Sequence, residues 1–599
     1  MALVNVAAEL TSRGKRVLIV DFDLEAPGLD TFDITDTGDQ QRGLLDFVCD
    51  YRASLEVPDV KNYLYKVGRD LGDGQLWVMP SGLQDHDYHT RFRSVDWADL
   101  YEEHGGFLLF EDLKAQWKAL KFDYVLIDSR TGHTDVAGIC TRQLPDAVAI
   151  FFFPNEQNRR GLQLIVQQVR NEATGPLKKK IQLHFVMSNV PDLDDEEQIL
   201  GKEMNRFEES LGFGSPTAVI HHYDSMALLE QVTFARERPR SRLAREYADL
   251  TTAIVRKNLE DRVGALAFLD LVRRRSSAGA PIVDLEGQLQ EIRLKHSGDA
   301  EVLGKLAAVR SRQMKNEEAL AILTEALNTG TPGQSALRLR RAQLYVSSGQ
   351  KERAVSDLKV ALTSAEISVF DLGVAIRMLR ETQPDLVSLI SRSPALDRLE
   401  PDIDLIGELQ TSPETLSLAA RLLTRWLSQI EDKEMQHIFK NELLLCLIGR
   451  GSYKEVLSTF GDTRVDPEKL MTTQDCFNYA MALWGLEGAV PTAYLDHLAA
   501  STQQFRSSRE PNHLQCFALI NRLIGKTDIA FELLAKAREF NLSRGATSFS
   551  SWSYLKVSVE RFTSDLEEME AAFGDDVLTP EFMRRNSLVS ARLAVPLSS

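Results

Sequence analysis

Residues 17–29 read Val17-Leu18-Ile19-Val20-Asp21-Phe22-Asp23-Leu24-Glu25-Ala26-Pro27-Gly28-Leu29. Four consecutive apolar residues suit a strand covered on both faces, as in a parallel sheet flanked by helices. Asp21 and Asp23 follow where such a strand emerges from the sheet, and Pro27-Gly28 then turns the chain sharply. Open α/β sheets bind ligands at that edge, so the two carboxylates stand where magnesium phosphate chemistry is commonly placed.

Upstream, Leu3, Val6, Ala7 and Leu10 recur at helical spacing, and Gly14 ends the segment before an Arg16–Val20 strand. Downstream, Phe122-Asp123-Tyr124-Val125-Leu126-Ile127-Asp128 reads as a second buried strand ending in an acid, followed by Ser129-Arg130-Thr131-Gly132. Asp128 is suited to hold a magnesium-bound water, and Gly132 allows a backbone N–H to approach a terminal phosphate. One strand ending in Asp is a weak signal, because Asp commonly caps turns. Two such strands in this order, with these loops, form a strong one. Arg130 suits a phosphate contact or a structural ion pair, and both readings stand open.

More strands are expected at Trp77–Met79, running into Pro80-Ser81-Gly82, at Asp146–Pro154, at Ile181–Met187 and at Thr217–Asp224. Phe107–Lys121 reads as an amphipathic helix with Leu108, Leu109, Leu113, Trp117 and Leu120 on its buried side. Asn155 or Asn158 should cap a helix running to about Asn171, and Leu243–Val255 should close the domain. His221 and His222 do not suggest a metal site, because adjacent strand residues point to opposite faces. The alternation of strands and helices predicts a mostly parallel sheet across residues 1–258.

Beyond residue 259 strand signals nearly vanish. A helical linker is expected over 259–297, with a hinge at Arg273-Arg274-Arg275-Ser276-Ser277-Ala278-Gly279. Ala342, Gly349, Ala354, Leu358 and Ala361 occupy the small and apolar positions of a tetratricopeptide-like helix pair. Ala307, Ala319, Leu323 and Ala326 fit the same frame earlier, and Ala518, Gly525, Ala530, Leu534 and Ala537 repeat it later. Repeats are therefore expected over 298–365, irregular helices over 366–505 and repeat-like C-terminal helices over 506–599. A plain helical bundle is the alternative for the middle region. Stacked helix pairs present a concave surface, which implies a protein partner. Phe477, Tyr479, Trp484, Trp552 and Tyr554 are expected in the core.

The 599 residues carry a formal charge of -17, which argues against a general nucleic-acid surface. Five scattered cysteines without CxxC pairing fit a reducing compartment, and no apolar run reaches membrane-spanning length, so a cytoplasmic protein without membrane contact is expected.

Met1–Leu10 and Gly14–Asp23 together resemble the ParA/MinD family of deviant Walker A (SIMIBI-class) P-loop ATPases, just downstream of their phosphate loop. Asp-Phe-Asp-Leu-Glu-Ala-Pro-Gly-Leu most resembles the subgroup whose loop reads KGGVGR followed by Ser or Thr. The resemblance places that loop and its strand ahead of Met1. The expected fold is thus an α/β nucleotide domain lacking its first strand, followed by an all-α helical-repeat region. By resemblance, ATP and Mg2+ are the cofactors, Asp21 and Asp128 serve the metal, and Asp23 orients the attacking water. Pro27, Gly28, Arg130, Gly132, Asn189 and Tyr223 are the implied nucleotide contacts, with Asn189 reading the adenine amine. Turn formation is the alternative role for Asp21, Asp23 and Asn189. The implied function is an ATP-dependent switch that forms a homodimer across its nucleotide and engages a protein through the helical arm. A non-catalytic scaffold and a DNA-partitioning ATPase are the alternatives.

Overall fold

Gly14 takes a positive φ of 79° at the end of the first helix, Ala2–Ser12. That conformation lets the N–H groups of Gly14 and Lys15 close on the carbonyls of Thr11 and Leu10, which ends the helix and aims the chain into β1 (Arg16–Asp21). The computed structural model describes residues 1–599 except 36–40, 69–72, 130–137, 175–178, 193–195, 225–231, 276–281, 283, 332–333, 383–385, 462–463, 543–546, 575–577 and 594–599. It divides into two compact units, Met1–His296 and Ser297–Ser599.

The first unit is α/β. β1 lies between β3 (Gln75–Met79) and β4 (Tyr124–Asp128) and is parallel to both, while the short β2 (Tyr65–Lys66) adds an antiparallel edge to β3. Residues Val17 to Val20 have no exposed surface, as a doubly covered strand requires. Val17 and Ile19 enter a core with Ala7 and Leu10 of the first helix and with Leu243 and Leu250 of the Arg242–Lys257 helix. Leu18 and Val20 face the other way, onto Leu44, Phe47, Phe110 and Leu113.

The helix expected at 107–121 spans Gly106–Ala119 and buries Leu109, Phe110, Leu113 and Trp117. Leu108 corrects that expectation, because it is 69% exposed. One helical residue is about 100° of rotation, so Leu108 falls off the stripe that Leu109 and Leu113 define.

A second sheet of three parallel strands follows, in the order β5 (Ala147–Phe152), β6 (Gln182–Val190), β7 (Ala218–His221). Val186 and Ile220 from this sheet share a core with Val17, Ile19 and Val78 from the first. Among the described residues, no strand pairs with the outer edge of β4 or of β5. β5 also alternates: Ile150 and Phe152 are buried, whereas Ala147, Ala149 and Phe151 are exposed. Asn155 caps the helix after β5, Glu156–Asn171, by accepting the N–H of Asn158 at 2.9 Å.

His184 of β6 is 2% exposed and its Nδ1 has no hydrogen-bond partner. Burial, with help from the Lys257 ammonium, pushes its pKa down to about 4. The unfolded chain takes up this proton near pH 6.5 and the folded chain does not, so the associated stability is present above 6.5 and is lost as pH falls toward 4. In that window His184 should steepen acid destabilisation by about 1.4 kcal/mol per pH unit. His184→Leu should remove that slope in urea titrations at pH 4.5, 5.5 and 7.

Among the described residues, the regular structure of the second unit is helical apart from one hairpin. Ala300–Arg312 packs on Asn316–Asn328, Ser335–Ser347 on Lys351–Leu362, and Pro511–Leu523 on Thr527–Leu542. The small residues singled out in the sequence sit where these helices meet: Ala307, Ala319, Ala326, Ala342, Ala354, Ala361, Ala518, Ala530 and Ala537 are all buried. Phe477, Tyr479, Trp484, Trp552 and Tyr554 are core residues. The hairpin β8 (Ser548–Ser550) and β9 (Leu555–Val557) interrupts the C-terminal helices, where no strand was singled out. Its Ser548 and Ser550 point inward while Phe549 is half-buried. Gln515 satisfies the second of them by donating to the Ser550 hydroxyl, and it accepts the Ser551 N–H at 2.7 Å, while the Ser548 hydroxyl is buried without a partner among the described residues.

Candidate functional site

Parallel register brings Asp21 of β1 opposite Asp128 of β4, at the C-terminal end of the first sheet. The backbone N–H of Phe22 donates to the Asp128 carbonyl at 2.9 Å, which fixes the two strand ends against each other. Asp21 is 2% exposed and is satisfied from the loop that follows it. Its Oδ1 accepts the Asp23 N–H at 3.2 Å, and its Oδ2 accepts the N–H groups of Gly28 and Leu29 at 3.3 Å each. Thus the Pro27-Gly28 turn folds back on the strand end and closes a ring around the Asp21 carboxylate. Asp23 is half-buried on the rim of this ring, and its Oδ1 accepts the Ala26 N–H at 3.3 Å.

These carboxylates are held against their electrostatic preference. Burial pushes the Asp21 pKa up to about 7, with the Asp128 charge adding to the rise and the three N–H groups opposing it. Asp128 is also raised, chiefly by burial; the Met1 ammonium opposes the rise and the like charge of Asp23 adds to it. A cation placed among them would relieve both effects.

The donor set suits magnesium, which takes one or two carboxylates and keeps several waters or phosphate oxygens. Among the described residues no hydrogen bond occupies the Asp128 carboxylate oxygens, which suits Asp128 to a direct bond. Asp21, already engaged by three N–H groups, is better placed to act through a bound water. Among the described residues, no group of three His, Cys, Asp or Glu side chains is set to hold a metal unaided.

The Pro80-Ser81-Gly82 turn expected after β3 is held by two residues that the sequence reading did not name, Gly43 and Asp46. The Leu44–Ser54 helix begins beneath Pro80-Ser81-Gly82, with the N–H groups of Leu44 and Leu45 donating to the carbonyls of Pro80 and Ser81 at 2.8 Å. Gly43 is required there, because a Cβ would lie 1.9 Å from the Pro80 carbonyl oxygen. Asp46, 4% exposed, accepts the N–H groups of Gly43 and Leu83 and so holds the loop beside β1. The signal available in the sequence was Gly43-x-x-Asp46 ahead of an apolar pair, a capping-box spacing.

Asn189 and Tyr223 lie at the corresponding end of the second sheet. Asn189 is exposed, has φ 58° at a register shift in β6, and its Oδ1 is 2.5 Å from His222 Nδ1. His222 also reaches Asp224 at 3.1 Å, while His221 turns the other way to Glu246 at 2.8 Å. The hydroxyl of Tyr223 is buried, and burial followed by the Glu246 charge pushes its pKa up to about 12. Asp21, Asp23, Pro27, Gly28 and Asp128 are therefore gathered at one strand edge, with Asn189 and Tyr223 in a second group. Arg130 and Gly132 lie outside the described residues.

Among the described residues, no helix is long and apolar enough to cross a membrane. No protein-family model matches the chain, and no curated protein does. Solved structures do match its N-terminal part. The MinD cell division protein of Aquifex aeolicus is 16% identical over 42% of this chain and 89% of its own, with a TM-score of 0.30. McdA of Cyanothece, solved as an ATP complex, is 16% identical over 42% and 90% at 0.32. Cobyrinic acid a,c-diamide synthase of Mycobacterium smegmatis, solved with ADP and magnesium, is 17% identical over 43% and 88% at 0.30. Similarity at that level says nothing of the ligand or activity of this chain.

Proposed function

We propose that the first unit is an ATP- and magnesium-dependent switch of the ParA/MinD type, and that the helical unit is the arm through which it engages a protein. The observation that carries this reading is the in-register Asp21–Asp128 pair at the C-terminal end of a parallel sheet, with Asp23 in the loop just beyond. Ligands of open α/β sheets bind at that edge. Bound magnesium would supply neutralisation of phosphate charge. The residues of the chain do the rest: Asp128 orients the ion, Asp21 fixes the loop and a bound water, and Asp23 positions the attacking water. The glycine-rich loop that the resemblance places ahead of the first helix would grip the phosphates, and its strand would occupy the open edge between β4 and β5.

The test compares the 599-residue chain with a chain extended by such a loop and strand. The extended chain should bind a fluorescent ATP analogue in magnesium far more tightly than the shorter one. Asp128→Asn should weaken that binding by about tenfold or more, the scale of one charge-assisted contact. Absence of binding in the extended chain would favour the non-catalytic scaffold, in which the helical arm carries the function.

A further inference from the structure

Away from the carboxylates, at the N-terminal end of β6, the first unit contains a cavity of about 590 Å³. Its walls come from the end of the Glu156–Asn171 helix, the start of β6, the 212–217 loop and the last residue of the Arg242–Lys257 helix. The volume lies within the range of small-molecule sites.

The lining is chemically divided. Phe185 and Phe213 stack with centroids 4.3 Å apart and planes 13° from parallel, and with Ile181 they make an apolar floor. Arg170, Lys180 and Lys257 supply three cationic groups, and no described lining residue is acidic. In a chain of net charge -17 that separation is unusual, since cations on such a surface ordinarily find carboxylates. None of the three makes an ion pair among the described residues. Arg170 is held across the rim by donating one Nη2 hydrogen bond to the Gly212 carbonyl at 2.9 Å, which leaves its other N–H groups available. Burial pulls the Lys257 ammonium pKa down with no neighbouring carboxylate to offset it.

We propose that this cavity binds a small anion with a flat apolar body, an aryl phosphate or carboxylate, whose charge meets Arg170, Lys180 and Lys257 and whose ring lies on Phe185 and Phe213. Apolar walls with a few convergent polar groups are the usual make-up of a ligand site. A guanidinium matches the paired oxygens of either anion, and the two ammonium groups act as point charges beside it. The site is independent of the proposed ATP site, which lies at the opposite ends of the parallel strands.

Calorimetric titration of the full chain with 1-naphthyl phosphate tests the assignment, with inorganic phosphate as the probe for charge alone. One saturable site per chain is expected for the aryl phosphate, with weaker binding of inorganic phosphate. The Arg170→Gln/Lys257→Gln variant should bind the aryl phosphate at least about tenfold more weakly, since each lost charge-assisted hydrogen bond is worth about that factor. Both residues lie on the surface with their charged ends turned to the cavity, so folding should be retained, which circular dichroism and thermal melting check. Undiminished affinity in a folded variant would overturn the proposal, as would absence of a saturable site or equal affinity for inorganic phosphate.

Discussion

In the protein carrying a phosphate loop ahead of its first helix, Asp23→Ala is expected to lower ATP turnover by at least about a hundredfold, the usual scale for a group that positions or activates a nucleophile. Affinity for ATP should stay within a few-fold. The two neighbouring acids have different structural duties, and this separates the outcomes. Asp21 binds the N–H groups of Asp23, Gly28 and Leu29, so its removal unties the loop as well as the metal. Asp23 accepts a single bond, from Ala26, and its loss leaves the ring around Asp21 in place. Single-turnover hydrolysis alongside equilibrium binding distinguishes the cases. Unchanged turnover in Asp23→Ala would remove it from the chemistry.

Asp357→Ala is expected to destabilise the second unit by about 2–3 kcal/mol, the scale of losing a charge-assisted pair whose remaining guanidinium, Arg341, is half-buried. Asp357 is 3% exposed, and Arg341 meets it with two parallel bonds, Nε to Oδ2 and Nη2 to Oδ1, both 2.7 Å. Arg338 adds a third contact at 3.4 Å. The pair ties Ser335–Ser347 to Lys351–Leu362, so the loss should appear as faster amide exchange in these two helices. Replacing both partners of the short pair, Asp357→Leu with Arg341→Met, should restore much of the stability, because the only charge left without the carboxylate is the more exposed Arg338. A single-variant loss below 1 kcal/mol would show that solvent reaches the guanidinium readily.

The strands around the carboxylates were legible because each carries a strong local signal. Val17–Val20 and Tyr124–Ile127 are apolar runs that end in acids; β1 is buried on both faces as read, whereas β4, with one edge unpaired among the described residues, is half-buried throughout and departs from the reading of a second buried strand. The inward alanines of the helix pairs were legible for a similar reason, since only small side chains let two helices approach at those positions. The β8–β9 hairpin was not legible. Its inward residues are the polar Ser548 and Ser550, and the partner that satisfies Ser550, Gln515, lies more than thirty residues away in sequence. The exposure of Leu108 was missed because its identity alone put it on the apolar face, whereas the helix axis is set by Leu109, Leu113 and Trp117. Nor could the division of the sheet between β4 and β5 be read from strand patterns, because pairing is a long-range property.

That division bears on how the protein behaves at concentration. β5 reads Ala147-Val148-Ala149-Ile150-Phe151-Phe152, six residues without charge, proline or glycine. Its outer backbone edge is unpaired among the described residues, and Phe151 is 41% exposed. Short, uncharged, β-prone segments on an open edge are templates for cross-β stacking. A strand seated between β4 and β5 would therefore act as a solubility device as well as a support for chemistry, by withholding the Ala147–Phe152 edge from other copies of the chain.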